Sequence, residues 1–339
     1  MDDHETPVED EPSVRLPHPP DDPADWIERP GALQEFCGRL ARHDLVAIDT
    51  ESNSMHAYRE ETCIVQVTAD GENFILDALA LGDLKPLAHA IDRDDVEVVF
   101  HGGDYDISCL TRDHGFRFHR VFDTMIAATL LGIERVGLAS LVDQHFGVTL
   151  EKRFQRADWA RRPVSDEQLD YLRRDTLYLP ALRAHLRERL AAEDLAEEAE
   201  IEFRRLAMRT GKPIEMNPEG WRRVKGANKL DDLGRCVMRA LHLWRESEAE
   251  RRNRPPFKVF SPQRMLQLAA NPPRKAHHPR TLPFLSHGER SRYGRQIVAA
   301  IQKGIEDHAA GDIPPRRLET PLSPDQARVL KVEKKREDA

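Results

Sequence analysis

Leu45-Val46-Ala47-Ile48-Asp49-Thr50-Glu51 is a short apolar run that ends on two carboxylates. It reads as a β-strand, and period-two geometry points Asp49 and Glu51 to the same face. Two more strand-like runs follow at 63–68 and 73–76. Between them lies Ala69-Asp70-Gly71-Glu72, a hairpin turn. A fourth run at 96–100 comes after a helical stretch at 84–91. Helical patterns then cover 105–112, 124–131, 138–146 and 166–190. Strands in hairpin order followed by strand–helix alternation predict an α/β fold, a mixed sheet flanked by helices.

At 339 residues the chain is long for one domain. Apolar residues make up 40% and charged residues 32%, enough to bury a core under a heavily charged surface. The net charge is −8, but it is unevenly spread: residues 219–303 hold 19 Lys and Arg against 7 Asp and Glu. An acidic body joined to a basic module suits a polyanionic partner while leaving carboxylates free for a metal. Cys37, Cys63, Cys109 and Cys236 are too scattered for a zinc site and fit a reducing compartment. No apolar run is long enough to span a membrane, and the acidic start lacks a signal core. The expectation is a cytoplasmic protein.

Residues 1–25 are rich in Asp, Glu and Pro and read as a disordered tail, as do residues 311–339. The strand and helix patterns occupy 26–192. Residues 193–215 are Glu/Ala-rich and read as a helical linker. From 216 to 310, helical patterns at 230–252, 262–270 and 288–306 are broken by Pro255-Pro256 and Pro272-Pro273, which reads as a small all-α helical bundle.

Two acids aimed together repel, and burial makes this worse, unless a divalent cation such as Mg²⁺ or Mn²⁺ neutralises them. Asp49 and Glu51 taken alone also fit a solvated turn. Asp106 follows the strand at 96–100 and the turn His101-Gly102-Gly103; Asp104 and Asp106 also fit ordinary first-turn acids at a helix start. The helix from Asp166 is the sharpest clue. Ser165 and Gln168 form a capping box, and Leu169, Leu172, Leu179, Leu182, Leu186 and Leu190 form an apolar stripe. At about 100° per residue, Asp175 falls inside that stripe and Tyr171 at its edge. A carboxylate there needs a metal or a buried arginine. Tyr171 on spacing alone is also a core residue.

The ordered set Asp-x-Glu on a strand, Asp after a second strand, and Tyr-x-x-x-Asp on a helix resembles the tyrosine subgroup of the DEDD 3′→5′ exonucleases, the ribonuclease D family. The residues that carry the resemblance are Val46–Glu51, His101–Ile107, Phe122-Asp123-Thr124, Ala157–Pro163 and Tyr171–Thr176. In the basic module, Leu243-Trp244-Arg245-Glu246, Arg254-Pro255-Pro256 and Leu266-Gln267-Leu268-Ala269 resemble an HRDC domain. The resemblance implies a ribonuclease H-like sheet at 26–192 and an HRDC-like domain at 216–310.

It also implies a hydrolase that removes 5′-mononucleotides from RNA 3′ ends. Two divalent metal ions, Mg²⁺ or Mn²⁺, would be held by Asp49, Glu51, Asp106 and Asp175, with Tyr171 orienting the attacking water. Transfer RNA precursors, or structured RNA with a free 3′ end, are the implied partners. Asp123 is a candidate helix cap or support for the ligands, and His101 a strand-end histidine beside them. Tyr58 and Phe154 are candidates for base stacking or for core. Arg222, Arg223, Lys225 and Lys229, with Arg251, Arg252, Arg254 and Lys258, are candidate phosphate contacts or a solvated helical face. Two other readings keep the same residues: a DNA-directed 3′→5′ exonuclease, and an RNA-binding scaffold without turnover.

Overall fold

The computed structural model describes residues 25–151, 153–273 and 278–316. The chain divides into two compact units, with the boundary between Ile214 and Glu215.

In the first unit, β1 (Asp25–Ile27), β2 (Leu45–Ser52), β3 (Thr62–Ala69), β4 (Glu72–Asp77), β5 (Glu97–Phe100) and β6 (Arg120–Asp123) form one sheet in the order β1-β4-β3-β2-β5-β6. The strands β2, β3 and β4 make an antiparallel meander. Parallel strands extend it on both sides, β5 and β6 beyond β2, and β1 beyond β4. The mixed sheet is the one expected. Asp70 and Gly71 join β3 to β4 with φ of 49° and 80°, the left-handed pair that matches a two-residue hairpin to strand twist.

Among the described residues of this unit, nine helical segments flank the sheet: α1 (Pro30–Leu40), α2 (Ala78–Leu81), α3 (Lys85–Ile91), α4 (Asp104–His114), α5 (Thr124–Leu130), α6 (Leu138–Phe146), α7 (Asp166–Leu177), α8 (Leu179–Ala192) and α9 (Ala196–Ala207). Alternation along β2 splits the core in two. Val46 and Ile48 pack with Phe36, Leu87 and Leu110 of α1, α3 and α4. Ala47 packs on the other face with Leu182 of α8 and Phe203 of α9. Both faces are covered, so the strand reads as a continuous apolar run. Each large side chain buried this way stabilises the fold by roughly 1.5–3 kcal/mol.

The structure corrects several expectations. The single helix expected at 166–190 is two: Pro180 sits at the start of α8, lacks an N–H, and crowds the carbonyl four residues back. The leucine stripe is therefore shared between α7 and α8. The expected linker is not a free spacer. Ala199, Phe203 and Leu206 of α9 are buried in the two cores of the sheet. Strands β1 and β6 were not expected; β6 has only Val121 and Phe122 between charged residues, too short to show a period. Residues 311–316, expected as the start of the C-terminal tail, are held by the second unit. Pro314 and Pro315 carbonyls accept from Arg235 and Arg222, and Asp312 pairs with Arg239. Residues 1–24 and 317–339 of the expected tails lie outside the described residues.

The second unit is all-helical: α10 (Asp232–Arg251), α11 (Pro256–Val259), α12 (Pro262–Ala270) and α13 (His287–Ala309), with single 3₁₀ turns at 220–223, 227–229 and 279–281. Helices α10 and α13 approach closely at Gly304, where a Cβ would stand 2.5 Å from the Val237 Cα. Trp244 packs edge-on against both Phe260 and Tyr293. No helix among the described residues is long and apolar enough to cross a membrane. All four cysteines are buried and free.

Candidate active site

β2 pairs with β5 only through Leu45–Ala47 and then runs on alone on that side. Asp49 and Glu51 lie on this extension, beyond the end of β5. The chain leaves β5 through Gly102 and Gly103 and enters α4 at once. A Cβ on Gly103 would stand 2.6 Å from the Phe100 side chain, so only glycine allows a turn this tight. The turn places Asp106 in the first turn of α4. Asp106 is buried, and the Thr50 hydroxyl donates to it at 2.5 Å. Asp104, two residues earlier, is exposed and pairs with Arg209 at 2.6 Å. The two acids that looked alike in the sequence thus have different surroundings.

Asp175 comes from α7, which lies over β3 and β4. Thr176 anchors the helix through a 2.7 Å bond to Thr68, and Asn73 donates to Thr68, to Thr176 and to the Arg173 carbonyl. Tyr171, one turn before Asp175, has its hydroxyl within hydrogen-bonding reach of that carboxylate. Trp159 stacks on Tyr171 with centroids 6.0 Å apart, and Phe154 meets it edge-on at 5.8 Å. Arg162 fixes this loop: its guanidinium forks onto buried Asp77 at 2.5 and 2.6 Å and donates to the Trp159 carbonyl at 2.7 Å.

The four carboxylates lie close enough for their charges to act on one another. Desolvation and the charges of Asp106, Asp175 and Glu51 hold Asp49 well above the usual carboxylate range. Desolvation, then Asp175 and Asp106, push Glu51 up to about 9. Desolvation and Asp106 raise Asp175 to about 8, against the pull of Tyr171. Desolvation raises Asp106 to about 6, and the Thr50 hydrogen bond opposes it. Every side-chain charge that shifts Asp49, Glu51 and Asp175 is negative. The buried arginine that was the alternative for Asp175 is not there, and its Oδ2 is buried with no hydrogen-bond partner. The acids do not converge at ligand distances: among the described residues no three His, Cys, Asp or Glu side chains form a ready ion cage. The donor set is nevertheless hard oxygen with surplus negative charge, which fits Mg²⁺ or Mn²⁺ and not a soft metal.

Asp123 caps α5 through Met125 and Ile126 N–H groups at 2.9 Å, and its other oxygen accepts from Gly103 N–H at 2.8 Å. It therefore ties α5 to the turn that aims Asp106. His101 bonds Thr124 at 2.9 Å, and burial lowers its pKa to about 4, which keeps it neutral. Tyr58 is half-buried after β2, and Phe154 is half-buried under Arg153 at 4.7 Å. Thr50, Trp159 and Arg162 were not singled out as site residues from the sequence. Their partners are 56, 12 and 85 positions away, and no spacing rule connects them.

The basic candidates of the second unit separate into two kinds. Arg222 pairs with Glu219, and Arg251 and Arg252 both pair with Glu248. Arg223, Lys225, Lys229, Arg254 and Lys258 are exposed. A groove of about 1010 Å³ that no sequence period indicates lies between the 279–281 turn and α13. His278, Arg280, His287, Arg290, Arg292 and Arg295 line it. Arg290 is held by the Leu282 and Leu285 carbonyls.

A family model described as a 3′-5′ exonuclease matches residues 24–191, and an HRDC domain model matches 235–301. A ribonuclease D of Nitrobacter hamburgensis is 33% identical over 83% of this chain and 74% of its own length. The chain belongs to the ribonuclease D family. A ribonuclease D of Sphingobium indicum is 36% identical over 71% of this chain, but the match spans 63% of that protein, under two thirds of its length. The crystal structure of Escherichia coli RNase D, described as an exoribonuclease involved in structured RNA processing, superposes with a TM-score of 0.71. It is 24% identical over 92% of this chain and 83% of its own, and that likeness shows the fold.

Proposed function

We propose that this chain is a divalent-cation-dependent 3′→5′ exoribonuclease that releases 5′-mononucleotides from RNA 3′ ends. One observation carries the reading: four acids on β2, α4 and α7 act on one another with only negative charge among them, and buried Asp175 Oδ2 has no hydrogen-bond partner. Asp49, Glu51, Asp106 and Asp175 would hold the cations. A pair of Mg²⁺ or Mn²⁺ ions, when bound, supplies Lewis acidity to the scissile phosphate and to the attacking water. Tyr171 is pushed above its ordinary pKa by desolvation and by the acids around it, so it stays protonated and orients water through its O–H; it does not act as a base. Trp159 and Phe154 fix the Tyr171 ring from two sides.

The ribonuclease D name of the relatives supports RNA as substrate. Transfer RNA precursors as the specific class, and the cytoplasm as the place, are part of the proposal and rest on the family resemblance read from the sequence. The arginine groove on α13 would contact RNA phosphates. A 5′-labelled RNA with a free 3′ end tests the activity in Mn²⁺ and in EDTA, beside a DNA oligomer of matched sequence. The expected result is stepwise shortening of the RNA that EDTA and Asp49→Ala both abolish. No shortening, undiminished activity in EDTA or after Asp49→Ala, or preference for the DNA would overturn the reading.

A further inference from the structure

We infer that Gln66 is a positioning residue of the carboxylate site, whose side-chain N–H groups hold the Asp49 carboxylate in its cation-binding orientation. The inference rests on the cation-binding reading of that site. In the β2–β3 register, Asp49 stands directly opposite Gln66. Residues so paired project from the same face of the sheet with Cβ atoms about 4.5–5.5 Å apart, within reach of a glutamine carboxamide.

Gln66 is fully buried, and neither its Nε2 nor its Oε1 has a hydrogen-bond partner. Its other cross-strand neighbour is Ile75, and Ile64 lies two residues before it on the same face, both in an apolar cluster with Leu172 of α7. A methionine would fit such surroundings without leaving polar atoms unmatched. A buried amide without partners is costly and does nothing for the fold, so its use lies elsewhere. The nearest acceptor that the sheet register offers is Asp49, and the unpartnered Oδ2 of Asp175 lies on the helix above. Ligating carboxylates are themselves hydrogen-bonded as a rule, and the donor that holds them typically changes metal affinity or activity 10–100-fold. Thr68, two residues along the same face, is already engaged with Thr176 and Asn73, so Gln66 is the uncommitted side-chain donor opposite Asp49, beside the Thr50 backbone N–H from which Asp49 already accepts.

Gln66→Met keeps length and removes both polar atoms. Three readouts separate a positioning role from a structural one: the thermal midpoint of metal-free protein, Mn²⁺ affinity from the electron paramagnetic resonance signal of free Mn²⁺, and kcat against KM on RNA. The expected result is a folded variant with a midpoint equal to wild type or higher by roughly 2–4 °C. Its Mn²⁺ affinity should be weaker by about 10–100-fold and its kcat lower by a similar factor, with KM for RNA unchanged. Wild-type Mn²⁺ affinity in Gln66→Met overturns the role of Gln66 and leaves the cation site standing. Absence of Mn²⁺ binding by the unaltered protein overturns the cation reading and Gln66 with it. A variant that does not fold, or whose midpoint drops while its Mn²⁺ affinity holds, assigns the amide to the fold and also overturns the inference. Gln66→Asn, which keeps the amide one methylene short, should bind Mn²⁺ no better than Gln66→Met.

Discussion

The Thr50 hydroxyl donates to Asp106 at 2.5 Å, joining the residue between Asp49 and Glu51 to the first turn of α4. The bond has an electrostatic consequence. Burial raises Asp106 to about 6, and Thr50 is the strongest of the influences that oppose it. Thr50→Val keeps the shape and removes the donor. The Asp106 pKa should rise, and the acid limb of the pH–activity profile should move to higher pH. Activity measured from pH 5 to 9 checks this; a shift toward lower pH, or none, would show that Asp106 does not govern that limb.

The acids make the metal-free protein sensitive to alkali. Glu51 at about 9 and Asp175 at about 8 lie well above the ordinary carboxylate value near 4 that the unfolded chain has. Between those limits the native state holds protons that the unfolded state has released. Stability should therefore fall as pH rises from about 4 through 8 to 9, and level off above. Thermal midpoints in EDTA across that range test the sign. Asp49→Asn removes one of the buried carboxyls that hold a proton in the native state and should flatten the slope. Added Mn²⁺ should raise the midpoint more at pH 8 than at pH 5, since its ligands are free of protons there.

Parts of this site were legible in the sequence because they depend on local periods. Asp49 and Glu51 share a face by strand alternation, and Asp106 follows a glycine turn that admits no side chain. Asp175 was read from a leucine stripe that Pro180 in fact divides between two helices. What sets Asp175 against the acids is the docking of α7 through Thr176 onto Thr68, residues 108 positions apart. The same limit hid β1 and β6. Each is three or four residues long and owes its strand conformation to a neighbour's open edge, β4 for β1 and β5 for β6. In the basic unit, counting Lys and Arg located the excess of charge but not its neutralisation. Glu248 engages two of the expected contacts at i,i+3 and i,i+4 helical spacing, which a bare count of charges passes over.

In the proposed reaction Tyr171, held protonated by desolvation and by the acids around it, orients water. Tyr171→Phe keeps the ring between Trp159 and Phe154 and deletes the hydroxyl. kcat should fall by about 10²–10³ with KM for RNA little changed, the size expected when one positioned hydrogen-bond donor is removed. Equal loss in kcat/KM through KM alone would place the hydroxyl in substrate binding instead.

Arg162 ties the Trp159 loop to the sheet by a two-pronged bond to Asp77, whose carboxyl it holds below the usual range despite burial. Lysine carries the same charge but lacks the fork. Arg162→Lys should lower activity about tenfold while the acids remain in place, and leave buried Asp77 with one bond to residue 162 in place of two, beside the one it accepts from Ala80 N–H. Trp159 fluorescence and proteolysis within 153–163 report the loop directly. Full activity with a loosened loop would separate the loop from the reaction.

The two sets of basic side chains in the second unit make opposite forecasts for salt. Cationic side chains that bind RNA phosphates release counterions, and deleting one such side chain reduces the slope of log affinity against log salt by about 0.7–1. Binding is measured on Asp49→Ala protein so that the RNA stays intact. Arg292→Gln and Arg295→Gln, in the groove on α13, should each lower the slope by that amount and weaken binding without sequence preference. Arg251→Gln should change neither, because Arg251 is already paired to Glu248 through bonds of 2.8 and 2.9 Å. The reverse pattern would move the phosphate-binding side chains from the groove to the end of α10.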